Sequence, residues 1–238
     1  MPKAISHFEA RSGRSGFSIF NLLFIIFNFQ YSSVFLFGAL LAACSSAPLP
    51  PEDPAARKDL DAFFLRFRQR VQADQADSLP LYLSRESLAW LDEIRRASRT
   101  EPVQYLRERP FHEILAILAL RVERRMEPSF DDRPVALLDK LVVKNWAVRK
   151  SLIKTELGES RVRGNSGEIG LREAPNVPVF HFTRETAGWK FHLVKSLPLI
   201  LQGAESIGRS RKPTRLEQAA FVLEQFGGRK VLAEDLNR

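Results

Sequence analysis

The chain has 238 residues, 45% of them apolar and 27% charged, an ordinary balance for one globular domain with its own hydrophobic core. Its 36 lysines and arginines against 28 acids give a net charge of +8, which attracts anionic headgroups, cell-wall polymers or nucleic acid; yet bases and acids interleave in runs such as Arg121-Val-Glu-Arg-Arg, a pattern that predicts solvated helix faces. One cysteine, Cys44, excludes an intramolecular disulfide framework, and it excludes a cysteine metal site or thiol nucleophile inside the folded domain.

Residues 1–16 are polar with net positive charge, and residues 17–43 form a long apolar stretch, most compact from Val34 to Ala43. This order is that of a signal peptide. The stretch ends in Leu41-Ala42-Ala43-Cys44, which resembles the bacterial lipobox at all four positions. That resemblance implies a precursor cut before Cys44, with diacylglycerol on the new terminal cysteine and acyl chains holding the chain on a membrane. Among bacterial lipoproteins a serine directly after the lipidated cysteine implies export to the outer membrane, and Ser45 occupies that place. An uncleaved inner-membrane helix is the alternative, because the stretch is long enough to span about 30 Å of hydrocarbon; Asn21, Asn28, Gln30, Ser32 and Ser33 interrupt it, and no Lys/Arg cluster follows it. Without the first 43 residues the chain keeps a net charge of +6, since these contain Lys3, Arg11 and Arg14 against Glu9. The proline-rich residues 44–55 read as an extended tether.

From Ala55 to Ala73, Leu60, Phe63, Phe64, Phe67 and Val71 recur at helical spacing, with Arg57, Lys58, Arg66, Arg68 and Arg70 left for the other faces. Ser84 is placed to cap a second helix that turns Leu88, Leu91 and Ile94 inward, with Trp90 at a flank. Thr100-Glu101-Pro102 opens a third segment, and Pro110 breaks the chain before Phe111 to Met126, whose apolar residues cover more than one face and so predict a helix that crosses the core. A further helix starts near Asp132 and Pro134 and carries Leu137, Leu138, Leu141 and Val142 towards Trp146.

Between Ser151 and Leu199 alternation replaces helical spacing. The expected strands are Leu152 to Val162, Glu168 to Glu173, Val177 to Arg184 and Trp189 to Leu197, separated by a Gly164–Gly167 turn, a loop through Pro175-Asn176 and an Ala187-Gly188 turn. After a short apolar segment and the basic run Arg209-Ser-Arg-Lys, Thr214 caps a last helix that stops at Gly227-Gly228. The expected organisation is therefore a signal peptide (1–43), a tether (44–55), an α+β domain (56–208), and a basic linker with a C-terminal helix (209–238).

Helices first and an antiparallel meander afterwards make an α+β domain. Residues Val177 to Phe191, above all Gly188-Trp189-Lys190-Phe191, resemble the late hairpin of the nuclear transport factor 2-like superfamily. The resemblance implies a curved sheet wrapped over helices to form a conical cavity, used by some members for ligands and by others for catalysis through a buried Asp, His or Tyr. Additional helix before and after the meander departs from that pattern.

The candidates for an acid/base role are His112, His181, His192, Asp92, Asp139, Tyr82 and Tyr105. His181 and His192 fall in adjacent predicted strands and make a two-histidine site conceivable, although a metal needs a third ligand that the sequence does not place. Gly158, Gly164, Gly167 and Gly170 form no phosphate-binding pattern and fall where turns are expected, so no cofactor is implied. Arg209, Arg211, Lys212 and Arg215 are the densest basic cluster, read as solvated rather than as a nucleic-acid surface. The sequence thus points to a lipid-anchored envelope protein facing the periplasm, of binding or scaffold type, whose partners are the membrane through Cys44 and an envelope protein or small apolar ligand. An enzyme with one buried acid/base residue is the alternative.

Overall fold

Asp53 accepts the backbone N–H groups of Ala55 and Ala56 and so opens helix α1, Pro54–Gln72, with a proline where the first turn needs no donor. The computed structural model describes residues 53–130, 133–138, 156–228 and 230–236. The signal-peptide, lipobox and tether readings up to residue 52, and those for Asp139, Leu141, Val142, Trp146 and 152–155, lie outside them. A 3-10 helix, Ala76–Tyr82, leads to α2, Arg85–Thr100, which Ser84 caps by accepting the N–H of Ser87. Then come α3, Val103–Leu106, α4, Phe111–Met126, and α5, Pro134–Leu138. Trp90, expected at a flank, is buried.

Four strands follow in the sheet order in which they occur along the chain: β1, Leu157–Arg163, β2, Ser166–Leu171, β3, Ala174–Glu185, and β4, Gly188–Phe191, each antiparallel to the next. The protein is a mixed α+β molecule. Register puts Val162, Gly167, Phe182 and Phe191 in one cross-strand row, and Ser160, Ile169 and Phe180 in the next row on that face. α1 covers this face with its phenylalanines. Phe63 meets Phe182 edge-on, Phe64 packs on Phe180 and Phe182, and Phe67 stacks on Phe191, with centroids 5.5–6.2 Å apart, within the range where aromatic pairs attract beyond simple burial. Gly167 lets the helix come this close: a Cβ there would stand 2.7 Å from Leu60 Cδ2 and 3.1 Å from the Trp189 ring.

Several expectations are corrected here. The fourth strand ends at Phe191 rather than Leu197, and Leu193 to Leu197 instead form the first turns of α6, Leu193–Arg211. His192 caps this helix, its Nδ1 accepting the Lys195 N–H at 3.4 Å. The proposed Pro175-Asn176 loop is strand, because β3 already starts at Ala174. Proline is tolerated there since β4 pairs β3 only from Phe182 to Glu185, which leaves no ladder on that side for Pro175 or Pro178 to interrupt. Of the four glycines expected in turns, Gly164 alone lies in one; Gly158, Gly167 and Gly170 lie in strands.

Behind the sheet, α4 packs between α2 and α7, Arg215–Gly227, while α6 lies against α7 and β3. Thr214 and Glu217 form the reciprocal capping box of α7, and Gly228 ends it in the left-handed conformation at φ 61°. The short α8, Ala233–Leu236, closes on α4. The solvated-face reading of Arg121-Val-Glu-Arg-Arg fails at this contact. Arg121 is 0% exposed and Glu123 8%, because the Arg121 guanidinium donates to the carbonyls of Ala97, Ser98 and Glu101 at the end of α2 and of Asp235 and Leu236 in α8. Arg125 adds its Nε–H, shared between the two oxygens of the buried Asp235 carboxylate at 3.0 and 3.1 Å. A second hub lies at Arg109, which binds Glu93, Glu101 and Glu113; its hydrogen bond to Glu101 leads in holding that guanidinium pKa above its ordinary value.

Candidate functional site

His181 and His192 are brought together as expected: the His192 N–H donates to the His181 carbonyl at 2.8 Å. The His192 imidazole is nonetheless engaged on both nitrogens. The buried His192 ring reaches Glu86 through Nε2 at 2.9 Å and accepts the Lys195 N–H through Nδ1, so the neutral tautomer that satisfies both contacts carries its proton on Nε2. The His181 Nδ1 stands 3.6 Å from Glu168, and its backbone N–H donates to Ser196 Oγ. Ser84 and Ser87 complete this junction, Ser87 Oγ accepting the Leu193 N–H at 2.8 Å. Each of these hydroxyls bonds backbone or another serine. What the cluster does chemically is fasten the starts of α2 and α6 to the end of the sheet. Among the described residues no group of three or more His, Cys, Asp or Glu side chains is placed to hold a metal ion.

The other sequence candidates are dispersed. His112 is half-buried beside the Trp90 ring, centroids 6.3 Å apart, in a small cleft with Pro198, Glu205 and Arg215. Tyr82 packs on Phe63 and Phe67, Tyr105 is exposed, and Asp92 pairs with Arg95 at 3.1 Å. Arg209 and Arg211 end α6, with Arg209 paired to Glu205 at 3.0 Å, and Lys212 and Arg215 are exposed.

Burial lowers the pKa of His112 against the opposing pull of Glu113 and Glu205, and burial likewise lowers that of His181, with Glu168 opposing and Lys195 and His192 assisting. Both rings are therefore more easily protonated in the unfolded chain, where the reference value is 6.5. In the interval between that value and the lower folded one the unfolded state holds more protons, so stability falls as pH drops below 6.5 and levels off once the folded rings protonate. The melting temperature should decline between pH 7 and 5, and a His112→Asn/His181→Asn variant should show a flatter profile; an unchanged slope would remove these rings as its cause.

The concave feature that sequence reasoning missed lies where the sheet is most irregular. Register slips between Leu157 and Ser160 on β1, and on either side of Gly170 on β2, and such bulges bend a strand and re-aim its side chains. Gly170 is required at the bend because a Cβ would stand 2.9–3.1 Å from the carbonyl oxygens of Pro175, Val177 and Ala174. Against this curl α1 turns a stripe of Arg57, Asp61, Phe64, Leu65 and Arg68, enclosing an open groove of about 580 Å³ with Ser160, Ile169 and Arg172 opposite. Positions 57, 61, 64, 65 and 68 follow helical spacing, so the stripe was readable as one face; its opposing wall was not.

Inside the groove Arg57 stands 3.6 Å from Glu159, Arg172 pairs with Glu156 at 2.7 Å, and the Arg68 guanidinium lies 6.0 Å from the Phe64 ring centroid. Burial lowers the Arg68 pKa from its ordinary value. Ser160 is 3% exposed, and its Oγ is one of the buried side-chain atoms without a hydrogen-bond partner. Such a setting suits binding through charge and apolar contact. No protein-family model matches the chain, and no curated protein or solved structure matches it.

Proposed function

We propose that the chain is a lipid-anchored protein of the bacterial envelope, held through Cys44 at the outer membrane and facing the periplasm, whose domain binds a ligand or partner rather than catalysing a reaction. The observation that carries the binding reading is the division of the α1–sheet interface. Its interior is filled by Phe63, Phe64, Phe67, Phe180, Phe182 and Phe191, whereas its bulged end is an open groove lined by Arg57, Arg68 and Arg172. A four-stranded meander covered by a helix supports the likeness to the nuclear transport factor 2-like arrangement, in a form whose interior is packed with side chains. The His192 imidazole, which caps α6 and reaches Glu86, supports a structural role for that ring rather than acid/base work.

The anchor rests on Leu41-Ala42-Ala43-Cys44 and on the proline-rich run between Cys44 and the Asp53 cap of α1. Ten residue steps separate Cys44 from Pro54, at most about 35 Å of extended chain, so α1 and its groove would stand close above the lipid surface. Cells fed a palmitate analogue should label the wild-type protein and not Cys44→Ala. Equal labelling of the two would remove the lipoprotein assignment.

A further inference from the structure

We infer that the corner between α6 and α7 docks the domain on an anionic phospholipid bilayer, the surface to which the proposed Cys44 anchor would hold it. The inference rests on the anchor reading above and deepens it by naming the face that meets the lipid. Residues 209–215, Arg-Ser-Arg-Lys-Pro-Thr-Arg, are all exposed, and they contain four bases and no acid. Two acids flank the run and both are engaged. Glu205 pairs with Arg209 at 3.0 Å, and Glu217 belongs to the α7 capping box with Thr214. Counting both acids against the run still leaves an excess of two positive charges. Among the described residues no carboxylate is paired with Arg211, Lys212 or Arg215.

The corner is built to hold these charges in place. Gly208 lets α6 come against α7, since a Cβ there would stand 3.0 Å from Gln218 Cβ. The buried Gln218 donates through Nε2 to the Lys212 carbonyl at 3.0 Å and to that of Pro213 at 3.4 Å, and the Lys212 N–H donates to the Gly208 carbonyl at 2.9 Å. Backbone order is therefore established before any partner arrives, so docking need not order a loop.

The surface extends beyond the run. Hydrogen bonds from Thr214 lead in lowering the Glu217 pKa, and Lys212 and Arg107 assist, which brings both cations near one carboxylate. Counting Arg107 with its exposed neighbour Glu108 leaves the excess at two. Tyr105, two residues earlier, is 60% exposed, an aromatic of the kind that settles at headgroup level. An excess of two is small beside the about 6–10 phosphates that a duplex-binding protein commonly engages. It suits a partner already close at hand, because a tether of at most about 35 Å raises the effective concentration of lipid seen by the domain.

Co-sedimentation with vesicles tests this, using the mature chain carrying Cys44→Ala so that acylation contributes nothing. Vesicles of phosphatidylglycerol mixed with phosphatidylcholine should bind about thirtyfold more tightly at low ionic strength than phosphatidylcholine alone. The difference should collapse in about 1 M salt, where the screening length falls to about 3 Å. Arg211→Glu/Lys212→Glu should abolish the preference. Lys58→Glu/Arg66→Glu, the same change of net charge at exposed positions of α1, should keep most of it, and both variants should melt like the parent chain. Equal binding to the two kinds of vesicle, equal loss in the two variants, or tighter binding to duplex DNA than to the mixed vesicles would overturn the proposal. Palmitate labelling of Cys44 reports on the anchor by itself, so a failed anchor and a failed corner are told apart.

Discussion

Replacing Arg121 with methionine is expected to remove about 2–6 kcal/mol of unfolding free energy, since it leaves the Glu101 and Asp235 carbonyls without their donor at about 1–3 kcal/mol each. The loss would be a large fraction of the about 5–15 kcal/mol that holds a typical domain folded. Its cause is specific. Arg121 is 0% exposed, and its guanidinium gathers carbonyl oxygens from the negative ends of α2 and α8. The Ala97 and Ser98 oxygens keep second donors in the Glu101 N–H and in Arg124, whereas among the described residues the bonds to Glu101 and Asp235 come from Arg121. Lysine should recover less than half of the loss, because one ammonium cannot span acceptors on two helices. Urea unfolding gives the magnitude, and amide exchange gives the location: protection should fall first in α8 and the end of α2. A variant as stable as wild type would show that the two helix ends are held by other contacts.

The same arginine marks the boundary of what the sequence discloses. Leu60, Phe63, Phe64, Phe67 and Val71 are buried in α1 as their spacing demands, and Ser84 and Thr214 cap the helices they precede, because amphipathic period and cap chemistry are local. Whether an arginine in a charged run faces water or the carbonyl ends of two other helices depends on elements distant in sequence, here Asp235 against Arg121. The groove was hidden for the same reason. Arg57 and Arg68 read as outer-face residues of an amphipathic helix, and only the bulges at Ser160 and Gly170 place a wall opposite them.

The misread end of β4 has a different physical origin. Trp189, Phe191 and Leu193 alternate with Lys190, His192 and Val194 as a strand would, and Pro198 looks like a terminator, being tolerated chiefly in a first helical turn. In the structure Pro198 is the sixth residue of α6, on an exposed face, while Leu201, Ala204 and Gly208 continue the buried stripe beyond it. That continuing stripe was the available signal. The cap that starts the helix was not, since histidine is outside the group of side chains that ordinarily serve as N-caps, and His192 does so here with its other nitrogen fixed by Glu86.

Truncating Phe182 to alanine is expected to cost about 3–5 kcal/mol, the usual range for deleting a fully buried aromatic ring. Phe182 is 2% exposed and lies at the centre of the packed interior, 6.2 Å from Phe63, 5.6 Å from Phe64 and 5.6 Å from Phe191, ring centre to ring centre. All of these neighbours are hydrocarbon, so the space left by the ring should stay dry and accept a small apolar guest. Benzene should therefore raise the melting temperature of Phe182→Ala by mass action and leave that of the wild type unmoved. The comparison bears directly on function. If benzene stabilised the wild type equally, the interior would already be an open cavity, and ligands would be expected between α1 and the sheet rather than in the arginine-lined groove at its bulged end. A guest confined to the variant instead means that aromatic packing has filled the space between α1 and the sheet, leaving the groove at its bulged end as the open concavity beside α1.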